Sequence, residues 1–361
     1  MKMKLFAAAV AAMAAGGAYA QSSVTLYGVV DAGIEYQNHQ PAAGAGQTGG
    51  HDVVRMTSGN LSGSRWGLRG VEDLGGGLKG VFVLESGFSI DDGKSAQSSR
   101  LFGRQAYVGL QSQWGALTLG RQQTPFYEFG LAFDPMAIST KYSITSQDPV
   151  FSQRADNAVK YVGTFGGLTA NALYSFGWDT GSGAAGELPG SAKVGREYSL
   201  SLTYSGGPFS VGAVYDETNV GTAVSKDQVL RRASVAGTYA FGPAKVFAGY
   251  RWGHSVDTIF QVANPGGQNT SNLYWLGLGY QLTPAFSLTG ATYYQDFRGS
   301  GRDPWTFVAS ADYAFSKRTD AYLSMSYAKN KDDSTMGVDG FGKTNGTANQ
   351  FGAVVGVRHK F

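Results

Sequence analysis

Apolar and polar residues alternate with a period of two through most of this 361-residue chain. In the stretch 304–315, one face carries Trp305, Phe307, Tyr313 and Phe315, and polar side chains such as Thr306 lie on the other. Successive side chains of a β-strand point to opposite faces, so this period predicts strands. The same alternation recurs in 196–205, 320–328 and 350–361. The chain is therefore predicted to be all-β.

Strand length separates a membrane barrel from a sandwich with one wet face, which alternation alone also fits. From Trp305 to Phe315 the chain takes ten steps, roughly 33 Å along a strand. Tilted by about 45°, such a strand covers about 23 Å, close to the ~25 Å apolar band of an outer-membrane barrel. Aromatic residues lie at both ends of its apolar face, where the two membrane interfaces would be.

The connections alternate in kind along the chain. Short Gly- or Pro-containing turns are predicted near 73–77, 112–115, 165–167, 206–208, 242–243, 283–284 and 316–318. Longer polar loops are predicted near 39–60, 91–99, 123–156, 179–195, 219–230, 256–271, 298–303 and 331–348. Seven turns and eight loops connect sixteen strands, an even number that lets a first strand near 23–37 pair with the last. We therefore expect a 16-stranded antiparallel transmembrane β-barrel.

Composition and the N-terminus agree with an exported protein. Residues 1–20 have a charged start, an apolar centre and the cleavage pattern of a secretory signal peptide, which leaves 21–361 as one barrel domain. Removing Lys2 and Lys4 from 29 basic residues leaves 27 against 26 acidic ones, a balance that gives no support for nucleic-acid binding. The chain has no cysteine, and no mature segment reaches 18 consecutive apolar residues.

One stretch departs from the alternating pattern. Residues 123–157 contain three prolines, four acids and six aromatic residues, and they show no strand period. A connection of that length without regular structure is normally functional or disordered, and this one is too aromatic for disorder. We interpret it as a long loop packed against the inside of the barrel wall.

Several motifs occur in order along the chain: SSVTLYGVVDAGIEY at 22–36, SRWGLRGVEDLGGGLKG at 64–80, RLFGRQAYVGL at 100–110, GALTLGRQ at 115–122 and a terminal VGVRHKF. Together they resemble the general trimeric porins of Gram-negative bacteria, especially their β-proteobacterial branch. The resemblance implies a homotrimer in the cell outer membrane, with an inward-folded third extracellular loop at 123–156. It also implies contact with outer-membrane lipids, lipopolysaccharide and the barrel-assembly machinery, for which Phe361 would be the terminal assembly signal.

The same resemblance implies a charged constriction. Its basic wall would contain Arg65, Arg104 and Arg154, and its acidic side, on the loop, Asp134 and Glu128. Strand alternation adds Arg69, which shares the face of Arg65, and Lys160 is a further wall candidate. The acidic side departs from the family pattern, because YEFGLAFDP stands where enteric members carry PEFGG, and Val29 stands where they carry a lysine.

The expected function is passive diffusion of small hydrophilic solutes and ions through a water-filled channel, without enzymatic activity, cofactor or metal. Three wall arginines facing two loop acids leave one excess positive charge and predict weak anion selectivity. The alternatives are a solute-specific channel, an outer-membrane barrel hydrolase and a soluble secreted β-protein. No catalytic motif supports the hydrolase, but serine, histidine and aspartate from separate strands could still assemble one.

Overall fold

The computed structural model describes residues 23–41, 49–179, 187–256 and 269–361. The expected signal peptide at 1–20 lies outside the described residues. No helix within the described ranges is long and apolar enough to cross a membrane.

Nineteen strands form within these ranges. The first nine are β1 (Ser23–Gln40), β2 (His51–Ser58), β3 (Arg65–Gly75), β4 (Leu78–Gly87), β5 (Gln105–Ser112), β6 (Gly115–Gln123), β7 (Arg154–Phe165), β8 (Leu168–Ser175) and β9 (Glu197–Gly206). The next five are β10 (Phe209–Asn219), β11 (Val229–Phe241), β12 (Ala244–Val256), β13 (Thr270–Thr283) and β14 (Phe286–Phe297). The last five are β15 (Trp305–Ala314), β16 (Thr319–Lys329), β17 (Met336–Gly337), β18 (Gly340–Phe341) and β19 (Gln350–Lys360).

The strands close into a barrel. Each pairs antiparallel with its neighbour, and β1 pairs with β19, so the sheet has no free edge within the described residues. Strands β2 and β3 both pair with β1 and form two parts of one barrel strand, whereas β17 and β18 form a separate small hairpin. The barrel therefore has sixteen strands, as predicted, and the seven short turns lie where the sequence placed them.

Alternation along each strand separates an apolar exposed face from a polar buried face. In β9, Leu200 and Leu202 are exposed, whereas Ser199 and Ser201, which alternate with them, are buried. Trp305, Phe307 and Tyr313 are exposed on β15, as expected for a lipid-facing surface. The polar faces therefore line the interior of the barrel. We call this polar surface the inner face of the wall.

One loop boundary was predicted wrongly. Residues 39–60 were expected to form a single loop, but β2 extends the second barrel strand through 51–58. Val54 and Met56 are exposed and alternate with Arg55 and Thr57, so this short run satisfies the same two-sided pattern as its neighbours. The strand is then interrupted at 59–64 before β3 begins.

The segment 123–156, which we call the third loop, is also more regular than expected. It contains helix α1 (Pro125–Phe133), helix α2 (Ile144–Gln147) and a 3₁₀ turn (Pro149–Ser152). Thr124 caps α1, since its hydroxyl accepts from the Tyr127 N–H at 3.3 Å, and Pro125 occupies the first turn. Its early proline starts this helix rather than breaking it.

Apolar contacts fix α1 against the inner face. Phe126, Phe129 and Phe133 recur at helical spacing and are buried, with Phe126 packed edge-on against Phe151. The indole N–H of Trp275 on β13 donates to the Phe133 carbonyl at 3.0 Å. The last turn of α1 is thus bound to the wall by a direct hydrogen bond as well as by packing.

Polar contacts hold the rest of the third loop. The Arg251 Nε lies 3.0 Å from Asp148 Oδ2, and Lys141 Nζ lies 2.8 Å and 2.9 Å from the two carboxylate oxygens of the buried Glu35. The Tyr293 hydroxyl donates to Asp134 Oδ1 at 2.5 Å. These wall partners come from β1, β12 and β14, so the loop is attached to widely separated parts of the inner face.

The Asp134 carboxyl is almost completely buried, with 2% of its surface exposed. Burial raises its pKa from 3.8 to about 6, and hydrogen bonds from Tyr293 and the Ile138 N–H only partly offset this. The folded-state pKa lies above the unfolded one, so ionising this carboxyl destabilises the folded state. The loss of stability reaches its full size above about pH 6. That cost is relieved as the pH falls toward 3.8.

We expect Tyr293→Phe to destabilise the barrel by about 1–3 kcal/mol at about pH 8, and by less at about pH 5. The hydroxyl supports the ionised carboxyl, which is the form that predominates at the higher pH. The measurement is the thermal transition of detergent-solubilised protein at both pH values, with Tyr280→Phe as the exposed-tyrosine control. An equal loss at both pH values would contradict a charge-supporting role for Tyr293.

The seam between β1 and β19 ends in a reciprocal pair of backbone hydrogen bonds. The Gly28 N–H donates to the Phe361 carbonyl, and the Phe361 N–H donates to the Gly28 carbonyl, both at 3.0 Å. The Phe361 ring lies directly over Gly28, where an added Cβ would be 2.3 Å from the ring. The last residue therefore completes the closure of the wall, and glycine at position 28 leaves room for it.

We expect deletion of Phe361 to lower the amount of assembled barrel, because two seam hydrogen bonds worth about 1–3 kcal/mol in total are lost. The folded fraction in outer membranes can be measured by heat-modifiable gel mobility. Phe315→Ala, which removes another exposed strand-end aromatic residue, is the control and should assemble normally. Pore properties of the protein that does assemble should be unchanged, and an undiminished folded fraction would show that the seam does not need Phe361.

Candidate functional site

A cavity of about 460 Å³ lies between the third loop and one side of the wall. Its charged lining consists of Arg65, Arg104, Arg154 and Glu85. We call it the arginine cavity. Its remaining lining is neutral and comes mainly from 61–63 and from the third loop.

Strand alternation and loop geometry bring these four charges together. Arg65 is the first residue of β3. Glu85 on β4 pairs with Gly67, which lies two residues after Arg65 and on the same face of the sheet. Arg104 immediately precedes β5, and its N–H donates to the Glu85 carbonyl at 3.1 Å. Arg154 opens β7 where the third loop rejoins the wall.

Glu85 accepts two hydrogen bonds and forms an ion pair with a third side chain. The Arg104 Nε donates to its Oε1 at 2.7 Å, the Tyr27 hydroxyl donates to its Oε2 at 3.0 Å, and the Arg65 Nε lies 3.6 Å from Oε2. Both guanidinium groups carry further N–H donors, and both residues line the cavity. Glu85 therefore orients two arginines but neutralises only one charge.

Arg154 is held without a carboxylate among the described residues. Its Nη1 donates to the Ser152 carbonyl at 3.2 Å, and its guanidinium lies 5.1 Å from the centre of the Tyr127 ring. Its buried Nε has no hydrogen-bond partner among the described residues. Three arginines and one glutamate leave a formal charge of +2 on the cavity, one more than the sequence predicted.

The third loop contributes no acid to this cavity. The carboxylate of Glu128 accepts from Lys160 on β7 and from Asn171 at 2.5 Å, and Asp134 accepts from Tyr293. All of these contacts point toward the wall. The side of the loop that faces the cavity is formed by Tyr127, Leu131, Ala137, Ile138, Thr140, Thr145 and Ser152.

Of the predicted site residues, the structure brings together Arg65, Arg104 and Arg154. Arg69 is exposed on the same strand face but lies outside the cavity, with its guanidinium 5.4 Å from the centre of the Tyr27 ring. Lys160, Glu128 and Asp134 attach the third loop to the wall instead of lining the cavity. Wall arginines and loop acids therefore do not face each other across this space.

Sequence reasoning missed Glu85 and Tyr127. A signal for Glu85 existed, because it alternates with Phe82 and Leu84 and so lies on the polar face of β4. No comparable signal pointed to Tyr127, whose position depends on the start of α1. Within the described ranges, no group of three or more His, Cys, Asp or Glu residues is arranged to hold a metal ion.

Comparisons with known proteins agree with this architecture. The family model described as Gram-negative porin matches residues 7–333. An outer membrane porin protein of Bordetella pertussis is 34% identical over 365 residues, covering 91% of this chain and 95% of that protein. Outer membrane porin protein 32 of Delftia acidovorans is 32% identical over 383 residues, covering 100% of both.

Solved structures show the same fold. The anion-selective porin from Comamonas acidovorans superposes with a TM-score of 0.78 at 25% identity, covering 94% of this chain and 100% of that chain. OmpF of Salmonella typhi, in complex with daunomycin, has a TM-score of 0.66 at 17% identity, covering 94% of this chain and 97% of that chain, which supports the fold alone. This chain therefore belongs to the Gram-negative porin family and is an outer-membrane channel for passive diffusion of small solutes, not an enzyme.

Proposed function

We propose that this porin prefers anions weakly, and that the preference arises at the arginine cavity where the third loop narrows the channel. The observation that carries the proposal is the cavity charge of +2, formed by Arg65, Arg104, Arg154 and Glu85 with no acid from the loop. The mature chain as a whole has a balance of only about +1, so the global field is small.

Screening makes these local charges decisive. At physiological salt the screening length is about 8 Å, so a passing ion senses mainly the charges that line a narrow gap. A unit charge 4 Å away is worth roughly 4 kcal/mol at an effective dielectric near 20, and pore water reduces this severalfold. Such an energy supports a several-fold bias between anions and cations, without strict exclusion of either.

The likeness to the anion-selective porin from Comamonas acidovorans supports the same direction. In this proposal Arg154 is the strongest contributor, because it has no carboxylate partner among the described residues. Arg104 and Arg65 share Glu85 and contribute less. The ion does not contact the other predicted residues directly. Arg69 lies on the wall outside the cavity, and Lys160, Glu128 and Asp134 attach the third loop to the wall.

We further propose a homotrimer, with the subunit contact on the outer surface of β3–β7. Aromatic residues form a nearly continuous outward belt near the loop ends of the other strands, as in the contiguous series Tyr250, Tyr274, Tyr294 and Trp305. On β4–β6 the corresponding outward positions carry Ser86, Ala106 and Arg121 instead. Loop ends that carry no aromatic residue of their own on these three strands suit a protein neighbour better than lipid.

Two strands of this sector are also short. Strands β5 and β6 contain 8 and 9 residues, as does the nearby β8 with 8, whereas β12 and β13 contain 13 and 14. The seven steps of an eight-residue strand tilted at about 45° cover only about 16 Å, less than the ~25 Å apolar band. A structure of OmpT of Vibrio cholerae, which shares the fold at 15% identity, is a trimer form.

The remaining proposals concern export and assembly. Residues 1–20 act as a signal peptide, and 21–361 form one porin domain whose constriction loop is 123–156. Phe361, which closes the seam, acts as the terminal signal for the barrel-assembly machinery. Outer-membrane lipids and lipopolysaccharide surround the outward aromatic belt.

We expect Arg65→Gln combined with Arg154→Gln to abolish the anion preference or reverse it weakly, since the cavity charge falls from +2 to zero. The measurement is the reversal potential of single channels in a salt gradient. The matched control is Asp134→Asn, which removes a loop acid outside the cavity and should leave the reversal potential unchanged. If the double variant inserts but keeps the wild-type reversal potential, the cavity does not set selectivity.

We expect Val108→Trp on β5 to dissociate the trimer, because the added ring would clash with a closely packed neighbour. Leu276→Trp on β13 is the control, since its similarly exposed side chain would meet deformable lipid. Native mass spectrometry in mild detergent distinguishes trimer from monomer. A monomeric wild type would refute the trimer, and an intact trimer for both variants would move the contact away from β5.

A further inference from the structure

We propose that, among anions, this channel favours amphipathic organic carboxylates, in which one carboxylate is joined to an aromatic or branched aliphatic group. The inference rests on the proposed anion preference and names the class of solute that the same cavity takes best. It follows from the mixed lining of the arginine cavity, which combines three guanidinium groups with an apolar strip formed by Leu61, Leu131, Ala137 and Ile138.

The charged side offers directional donors. Arg65 donates through Nη1 to the Ser62 hydroxyl and the Gly63 carbonyl, at 2.9 Å and 3.0 Å, which fixes the plane of its guanidinium. The Arg104 and Arg154 side chains are fixed by Glu85 and by the Ser152 carbonyl. Planar guanidinium groups held in this way match the two oxygens of a carboxylate better than a spherical ion.

The apolar side arises from the way α1 packs. The helix buries Phe126, Phe129 and Phe133 against the wall, which turns Leu131 toward the cavity, where 52% of its surface is exposed. Ala137 is exposed beside it, and Ile138 is half-buried. A single exposed leucine would be unremarkable on a protein surface. Here several apolar side chains line the same cavity as three arginines.

The Tyr127 ring links the two sides. One of its faces lies against the Arg154 guanidinium, and the residue also lines the cavity. A carboxylate bound to the arginines would therefore place its organic part against Tyr127, Leu131 and Ile138. A cavity of about 460 Å³ is large enough for such a solute and the water around it.

This arrangement discriminates between anions of equal charge and similar size. Chloride and phosphate gain only from the arginines. A sugar acid gains from them too, but its hydroxyl groups would lose water against the apolar strip without finding new partners. An aromatic carboxylate gains from both sides, because its ring releases water from apolar surface.

The test compares benzoate with threonate, a hydroxylated carboxylate with the same number of heavy atoms. Permeability ratios come from bi-ionic reversal potentials of the full-length protein in planar bilayers, at alkaline pH where benzoate is fully ionised. Bilayers without protein control for leak through the lipid. We expect benzoate to be favoured by roughly threefold or more, in keeping with burial of part of one ring.

Two variants test whether the apolar strip causes the preference for benzoate. Leu131→Ser, at an exposed position, should lower the benzoate-to-threonate ratio toward one, and Val224→Ser, in an exposed loop outside the cavity lining, should keep the wild-type ratio. A wild-type channel that prefers chloride to potassium but does not prefer benzoate overturns this inference and leaves the proposed function intact. A wild type without anion preference overturns the proposed function itself. An unchanged ratio in Leu131→Ser also overturns the assignment to the strip.

Discussion

The constraint on which this structure depends is that backbone N–H and C=O groups cannot be left unpaired in lipid. A closed ring of strands satisfies that constraint, and the reciprocal hydrogen bonds between Gly28 and Phe361 complete the ring at its seam. Closure in turn forces the two-sided pattern of every strand, because one face meets lipid and the other the interior. The polar interior is thus a consequence of the way the backbone is paired.

The polar side chains of the interior provide binding partners for the third loop. Acids at Glu128, Asp134 and Asp148 find partners on the inner face in Lys160, Tyr293 and Arg251. Lys141 reaches Glu35 and also Asp339 from the last loop, at 3.0 Å. Buried ion pairs add little net stability, because desolvation offsets their attraction. Their effect here is geometric, since each pair specifies where one part of the loop must lie.

The position of the loop decides the chemistry of the cavity. Because the loop acids are turned toward the wall, the side facing the arginines is left neutral and partly apolar. A transverse field between opposite charges, which the family resemblance implied, is replaced here by a contrast between charge and apolar surface. That contrast follows from the apolar spacing in α1, where the aromatic residues that bury themselves leave Leu131 facing the open side.

The sequence alone predicted the sixteen strands, their turns and the lipid-facing side chains, which follow from the local period of two. The three cavity arginines were predicted from motifs that resemble the porin family. Only the tertiary structure decided that Asp134 and Glu128 turn away from the arginines and that Glu85 and Tyr127 join them. Those contacts connect residues far apart in the chain, and an acid on a loop carries no local sign of which partner across the barrel will bind it.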